Sequence, residues 1–154
     1  MAIKRADFPL PDVDDPVTAP FFAGAARGKL VLPRCGACGG FVWYPAERCG
    51  ACGDGEPVWV PVSGRGTLFS WAVVRRAFLP AFEDKVPFVT ALVAIDEDPT
   101  VRIPTYVDAP PEDLRADEPV QVGFRPLSFA TVPGRSVVVP VFVPLSVLAT
   151  EVAP

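Results

Sequence analysis

The four cysteines of this chain are grouped in two pairs within a short segment. Each pair stands in the same hexapeptide, Arg-Cys-Gly-Ala-Cys-Gly, once at residues 34–39 and again at residues 48–53. Two such turns placed face to face supply four thiolates, which is the donor set that holds Zn²⁺ in a tetrahedral structural site. The spacing therefore predicts one structural zinc ion per chain, bound by Cys35, Cys38, Cys49 and Cys52.

Other uses of these cysteines are less favoured. Disulfides belong to oxidising compartments, and a redox dithiol of the thioredoxin type sits where a strand meets a helix. Iron is chemically compatible with four sulfur ligands and stays an alternative. A site closed by four thiolates has no open position for substrate, so we expect the metal to stabilise a small module and not to activate water.

The rest of the sequence offers little for catalysis. It contains no histidine, which excludes mechanisms that rest on an imidazole base or ligand. The acidic groups at residues 14–15 and 96–98 are typical of solvated turns. Residues 64–67, Gly-Arg-Gly-Thr, lack the lysine and the following helix of a phosphate-binding loop. We therefore predict no catalytic residue in this chain and no activity of its own.

Composition and charge restrict the class of protein further. Half of the residues are hydrophobic, enough for a packed core, and 20 prolines with 12 glycines favour short strands over long helices. The net charge of −4 disfavours nucleic-acid binding. Acidic residues and prolines follow the N-terminus where a signal peptide would be apolar, and no apolar run reaches the length of a bilayer. We expect a cytoplasmic protein with no membrane partner.

The pattern of elements predicts a mostly β protein. A helix is expected over residues 16–27, with Thr18 as N-cap and Gly28 at its C-terminal end, followed by short strands at 30–33 and 41–44 around the first cysteine pair. Longer apolar strands follow at 67–76, 88–95, 100–107, 120–125 and 136–143, with one helical turn at 110–115. Five strands with a short helix before the fourth are typical of the OB-fold, a Greek-key barrel.

These elements divide the chain into four parts. We predict a flexible arm over 1–15, an N-terminal helix and zinc ribbon over 16–62, an OB-fold barrel over 63–145 and a C-terminal tail over 146–154.

The Arg75–Arg76 pair at the end of the first barrel strand could meet a phosphorylated ligand, although the solvated edge of a sheet is the favoured interpretation.

Two groups of apolar residues are candidates for docking on another protein. One lies on the N-terminal helix and the other on the connection after the first barrel strand, where a loop would normally be polar. They are Phe21 and Phe22, and Phe78, Leu79 and Phe82. Internal packing is the competing explanation, favoured for one ring of the helical pair, so we expect only a subset to bind a partner.

The order of these motifs resembles a known family. Residues 20–30 lead to the first cysteine turn, Tyr44-Pro45 precedes the second, and Ser63-Gly64-Arg65-Gly66-Thr67 opens the barrel. Over residues 16–145 the chain is similar to the zinc-ribbon and OB-fold proteins grouped as domain of unknown function, number thirty-five. Only the four cysteines match a defined functional motif of that family. The sequence departs from it in having no histidine after the first barrel strand.

The resemblance implies a function. Members have a rubredoxin-like zinc ribbon and serve as accessory subunits of thiolase-like enzymes, such as thiolases, aldolases or acyltransferases of lipid or steroid metabolism. It implies a hetero-oligomer with a thiolase-fold enzyme, contact with acyl-CoA only indirectly, and CoA touching this chain only at the interface. A nucleic-acid-binding module is the alternative, because zinc ribbons and OB-folds both serve there. The acidic balance and the small number of lysines weigh against it.

Overall fold

The computed structural model describes residues 5–151. Its elements in chain order are α1 (Ala19–Ala26), β1 (Val31–Cys35), β2 (Pro57–Pro61), β3 (Arg65–Val74), β4 (Phe88–Ile95), β5 (Asp98–Val107), β6 (Pro119–Ser128), β7 (Ser136–Pro144) and α2 (Leu145–Glu151). Single 3₁₀ turns lie at Pro80–Phe82 and Pro111–Asp113. Within residues 5–151, no helix is long and apolar enough to cross a membrane.

Helix α1 is shorter than the sequence predicts. Thr18 does precede it, but the side chain makes no capping hydrogen bond, and Pro20 occupies the first turn, where the missing amide is tolerated. The helix ends before Gly28, whose φ of 69° is the left-handed conformation that glycine adopts without strain. Gly24 allows close packing on β1, because a Cβ there would lie 2.6 Å from a methyl of Val31.

Strands β3 to β7 close into a barrel in the order β3-β4-β5-β7-β6, with β6 pairing back onto β3. All pairs are antiparallel except β5 with β7. This is the OB-fold predicted from the sequence, and the mostly β fold class is confirmed. The alternation in β5 is observed as expected, with Val101, Ile103, Thr105 and Val107 buried. Leu68 and Phe142 fill the interior with no exposed area.

The zinc ribbon is built on the β1–β2 hairpin. Its two strands pair from Val31 opposite Pro61 to Cys35 opposite Pro57. The strand predicted at 41–44 is reduced to a single bridge between Arg34 and Phe41. Two backbone hydrogen bonds form this bridge, from the amide of Val42 to the carbonyl of Pro33 and from the amide of Cys35 to the carbonyl of Gly40, both at 2.8 Å.

Residues 5–15 differ from the flexible arm that the sequence predicts. Leu10 is only 3% exposed and packs in a small cluster with Ala81, Phe129 and Val132. The carboxylate of Asp7 forms ion pairs with Arg5 at 2.8 Å and with Arg135 at 3.1 Å. The packing of Leu10 and the pair of Asp7 with Arg135 are long-range contacts that hold the segment against the barrel. Residues 1–4 lie outside the described range.

The predicted C-terminal tail also contains structure. Residues 145–151 form α2, directly after the last barrel strand, and residues 152–154 are not described. Val147 and Leu148 of this helix lie against an apolar cleft on the barrel surface.

Candidate metal centre and docking surface

The four cysteine sulfurs converge at one end of the ribbon. All lie within 4.8 Å of one another, with Sγ–Sγ distances of 3.6 Å between Cys35 and Cys52 and 3.8 Å between Cys38 and Cys49. Four sulfurs placed tetrahedrally at the usual Zn–S bond length of about 2.3 Å would be separated by about 3.8 Å. The observed donor set therefore fits a single zinc ion.

The same backbone geometry positions both halves of the site. The amide of Gly39 donates to the carbonyl of Cys35 at 3.0 Å, and the amide of Gly53 donates to the carbonyl of Cys49 at 2.9 Å. Both glycines have positive φ, 74° and 78°, which side chains rarely adopt. The repeated hexapeptide thus forms the same tight turn twice.

The electrostatics of the site favour a bound cation. The backbone N–H of Cys38 approaches the Cys35 sulfur at 3.4 Å and lowers the pKa of that thiol to about 6. The N–H of Asp54 lowers the pKa of Cys52. For Cys38, the N–H of Gly40 acts to lower the pKa, but the adjacent sulfurs raise it to about 11. Thiolates this close repel one another, so all four are deprotonated only when a cation neutralises them.

Two neighbouring residues support the centre, and the first was missed by sequence reasoning. Gly55 is buried, and a Cβ at this position would lie 2.0 Å from the Cys35 sulfur, so only glycine fits. Arg34 donates from Nε to the carbonyl of Gly39 and places its guanidinium 5.7 Å from the centre of the Phe41 ring. The arginine of the first hexapeptide thus braces the turn it precedes.

The five residues predicted for docking separate into two groups. Phe78 is 88% exposed and Leu79 is 42% exposed, on the connection after β3. Leu79 lines a shallow depression together with Phe8, which is 42% exposed. We call Phe8, Phe78 and Leu79 the apolar patch. Arg75 and Arg76 lie beside this connection and are also exposed.

The other three candidates are half-buried. Phe21 packs against the barrel core, with its ring centroid 6.2 Å from Trp43 and 5.3 Å from Phe22. Phe82 stacks 5.1 Å from Phe129 and 5.9 Å from Phe88. Their rings therefore anchor α1 and the β3–β4 connection.

The junction of ribbon and barrel contains a contact that sequence reasoning assigned to solvent. The carboxylate of Glu97, in the turn between β4 and β5, accepts a hydrogen bond from the backbone N–H of Ser63. Burial acts to raise the pKa of Glu97, but the hydrogen bonds from Ser63 lower it below its usual value. One member of the 96–98 acidic group thus links the barrel to the segment entering it.

Comparison with known proteins places this architecture in a family. Residues 22–58 match a family model described as the rubredoxin-like zinc ribbon domain of ChsH2. Residues 59–125 match the model of the C-terminal OB-fold domain of ChsH2. The chain belongs to this ChsH2 zinc-ribbon and OB-fold family. The resemblance inferred from the sequence is thereby confirmed.

Two solved structures in this family are similar to the chain. One, titled "Ltp2-ChsH2(DUF35) aldolase", is 27% identical with a TM-score of 0.72, and the match covers 88% of this chain and 99% of that one. A protein of unknown function of the DUF35 family from Sulfolobus solfataricus shares the fold, at 12% identity and a TM-score of 0.54 over 84% of this chain and 86% of that one.

A curated relative is described as a probable enoyl-CoA hydratase alpha subunit from Thermomonospora curvata. It is 32% identical over 100 residues, which is 65% of this chain. The chain spans about 30% of the length of that relative.

Proposed function

We propose that this chain is a non-catalytic, zinc-stabilised accessory subunit that docks on a thiolase-fold enzyme acting on acyl-CoA substrates. The observation that carries the proposal is the similarity, over 88% of the chain, to a chain of a complex titled as an aldolase. The curated relative, whose description names an enoyl-CoA hydratase subunit, supports the acyl-CoA class of substrate. The identity of the partner as a thiolase-fold enzyme and the acyl-CoA class of its substrate are both part of this proposal.

The chemistry of the chain supports a non-catalytic role. It has no histidine, and its four cysteines face one another in a set suited to a closed metal site. Such a site stabilises a fold and leaves no position for substrate. In this proposal the reacting groups belong to the partner.

The apolar patch is the docking surface that we propose. Phe78 exposes nearly all of its side chain, yet the connection that carries it is held firmly, because Phe82 packs on two rings and its amide donates to the carbonyl of Leu79 at 3.0 Å. An exposed aromatic ring on a fixed support loses little entropy on binding. Its full burial would contribute about 1.5–3 kcal/mol.

The test is co-purification with the thiolase-fold enzyme encoded nearest to this chain in its own genome, followed by an affinity measurement. Phe78→Asp should weaken binding at least about tenfold, which corresponds to about 1.4 kcal/mol. Val58→Asp is the matched control, because Val58 is 57% exposed on β2 of the ribbon. Zinc content and thermal unfolding should match wild type in both variants. Full affinity in Phe78→Asp, or equal loss in both variants, contradicts the docking surface.

A second measurement tests the accessory role itself. The purified chain alone should not turn over acyl-CoA or ketoacyl-CoA substrates. Reproducible turnover that is lost on mutating one of its own side chains would show an enzyme instead. Binding of single-stranded nucleic acid with a steep salt dependence would favour the alternative of a nucleic-acid module.

A further inference from the structure

The outer face of the barrel carries an apolar cleft of about 610 Å³. Its floor is formed by side chains of β7 on the opposite face of the strand from Phe142, and these floor residues are only 6–8% exposed. Its walls come from β4, β5, β6 and the connection after β6, and α2 lies along one side. The floor residues are Val139, Val141 and Val143, and the walls include Phe88, Tyr106, Leu127, Phe129, Val147 and Leu148.

The position of this cleft follows from the sheet topology. Strands β5 and β7 pair only at Tyr106 with Val141 and at Val107 with Phe142. The surface beside this short parallel contact is therefore not filled by neighbouring strands. The outer side chains of a barrel normally face water, yet residues 137–143 read Val-Val-Val-Pro-Val-Phe-Val without a charge.

Few polar groups line the cleft, and their charges are unequal. Lys85 and Arg125 contribute two cations to the lining and Asp108 contributes one carboxylate, while Lys85 also lies 3.8 Å from the carboxylate of Asp84 outside the lining. Arg125 approaches Asp108 at 3.5 Å with both side chains more than half exposed, and the ammonium of Lys85 lies 5.7 Å from the centre of the Phe129 ring. The hydroxyl of Tyr106 makes no hydrogen bond to any residue in the 5–151 range, although the ring packs on Phe88 at 5.5 Å.

We propose that this cleft binds a small amphiphilic carboxylate, with its apolar body on the valine floor and its anionic head near Lys85 and Arg125. The volume lies within the roughly 300–1,000 Å³ of small-molecule sites, and such sites combine apolar walls with a few polar groups. The exposed pairs of Lys85 with Asp84 and of Arg125 with Asp108 contribute little to stability, so both cations can turn toward an anionic head, whereas a cationic head meets a single carboxylate in the lining. The Tyr106 hydroxyl is a further donor for that head.

A small molecule fits the cleft better than a protein surface does. The floor and all the walls belong to one chain and enclose a concave space, whereas protein interfaces of standard size are broad patches of about 800 Å² on each partner. The site is separate from the metal centre and does not include Phe78 or Leu79. It therefore goes beyond the proposed accessory role and does not depend on it.

The test is calorimetric titration of the full chain with laurate, below its critical micelle concentration. Dodecyltrimethylammonium, with the same tail and a cationic head, is the matched probe. We expect laurate to bind at least tenfold more tightly. Lys85→Gln combined with Arg125→Gln should remove most of that preference. Val141→Trp should fill the cleft and weaken laurate binding at least tenfold. Val58→Trp, on the exposed surface of β2, should bind laurate like wild type.

An NMR titration of the wild-type chain keeps the proposal testable if Val141→Trp fails to fold. Laurate should shift the signals of the Val139, Val141 and Val143 methyls while leaving the ribbon unchanged. The proposal is overturned if laurate does not bind at millimolar concentration, binds no better than the cationic probe, or shifts signals elsewhere. It is also overturned if the chain is a dimer that Val141→Trp converts to monomers, because a second copy would then cover the cleft.

Discussion

The indole Nε1–H of Trp43 donates a hydrogen bond of 2.8 Å to the backbone carbonyl of Arg102. Trp43 follows the first cysteine turn, and Arg102 lies in β5 of the barrel. The same indole packs against the core and approaches the ring of Phe21 in α1. The Trp43 side chain thus contacts both the helix and the barrel, and these contacts fix the position of the ribbon relative to the barrel.

Trp43→Phe should lower the free energy of unfolding. It removes the hydrogen bond to Arg102, which contributes about 0.5–1.5 kcal/mol, and it leaves space beside Phe21 that adds to the loss. Denaturant unfolding followed by circular dichroism measures the change. Tyr44→Phe is the control, because Tyr44 is 62% exposed and its substitution should shift stability by less than about 0.5 kcal/mol. Equal effects of the two variants would contradict the role of Trp43.

Cys38→Ser should abolish stoichiometric zinc binding and unfold the ribbon while the barrel stays largely formed. Leu30 and Leu32 from the ribbon side pack in the same core, but most of that core belongs to the barrel, where Leu68, Val93 and Phe142 have no exposed area. Elemental analysis measures the metal, and amide hydrogen exchange reports the two parts separately. Ala51→Ser, exposed between the second pair of cysteines, should keep wild-type zinc. Wild-type protein that contains no zinc, or only iron, would contradict the assignment.

Gly55→Ala should lower zinc occupancy although it changes no ligand. The added methyl would lie 2.0 Å from the Cys35 sulfur and must push that sulfur away from the other three. Gly50→Ala is a close control, because a Cβ at Gly50, within the second hexapeptide, meets nothing within 4 Å. A competition titration with a chromophoric zinc chelator compares the affinities. Wild-type affinity in Gly55→Ala would show that the sulfurs move freely.

The sequence was sufficient to predict the OB-fold and the grouping of the four cysteines because both depend on short-range patterns. The repeated hexapeptide encodes two identical turns, and the alternation in residues 100–107 encodes one buried face of a strand. The helix boundaries were less well predicted, since the Thr18 side chain does not cap α1.

Contacts between distant segments were not predictable in the same way. Glu97 stands in an acidic segment typical of a solvated turn, but the fold brings its carboxylate to the backbone N–H of Ser63. Phe82 and Phe78 look alike in sequence, yet only Phe82 meets other rings. Leu10 falls within the predicted flexible arm because its packing partners, Ala81, Phe129 and Val132, are all distant in sequence. The periodicity of apolar residues predicts whether a segment is a helix or a strand, whereas the burial of a given side chain depends on which distant segments pack against it.

The packing of residues 5–15 should depend on pH through Asp7. The hydrogen bond from Arg5 is the main cause that holds the pKa of this carboxyl below 3.8, its ordinary value, and Arg135 lowers it further. A depressed pKa means that folding favours the charged form, so the stabilisation is fully present above the ordinary pKa and is lost as the pH falls through the lowered value.

Acidification should therefore release this segment before the barrel unfolds. The amide of Leu10 donates to the carbonyl of Asp7 at 2.8 Å, and the Leu10 side chain is buried, so its methyl signals report attachment in an NMR pH titration. Asp7→Asn should weaken the attachment at neutral pH and remove most of its acid dependence, because the amide keeps the shape but loses the charge. Asp14→Asn, at an exposed position of the same segment, should behave like wild type. A wild-type Leu10 titration in Asp7→Asn would assign the pH dependence to another group.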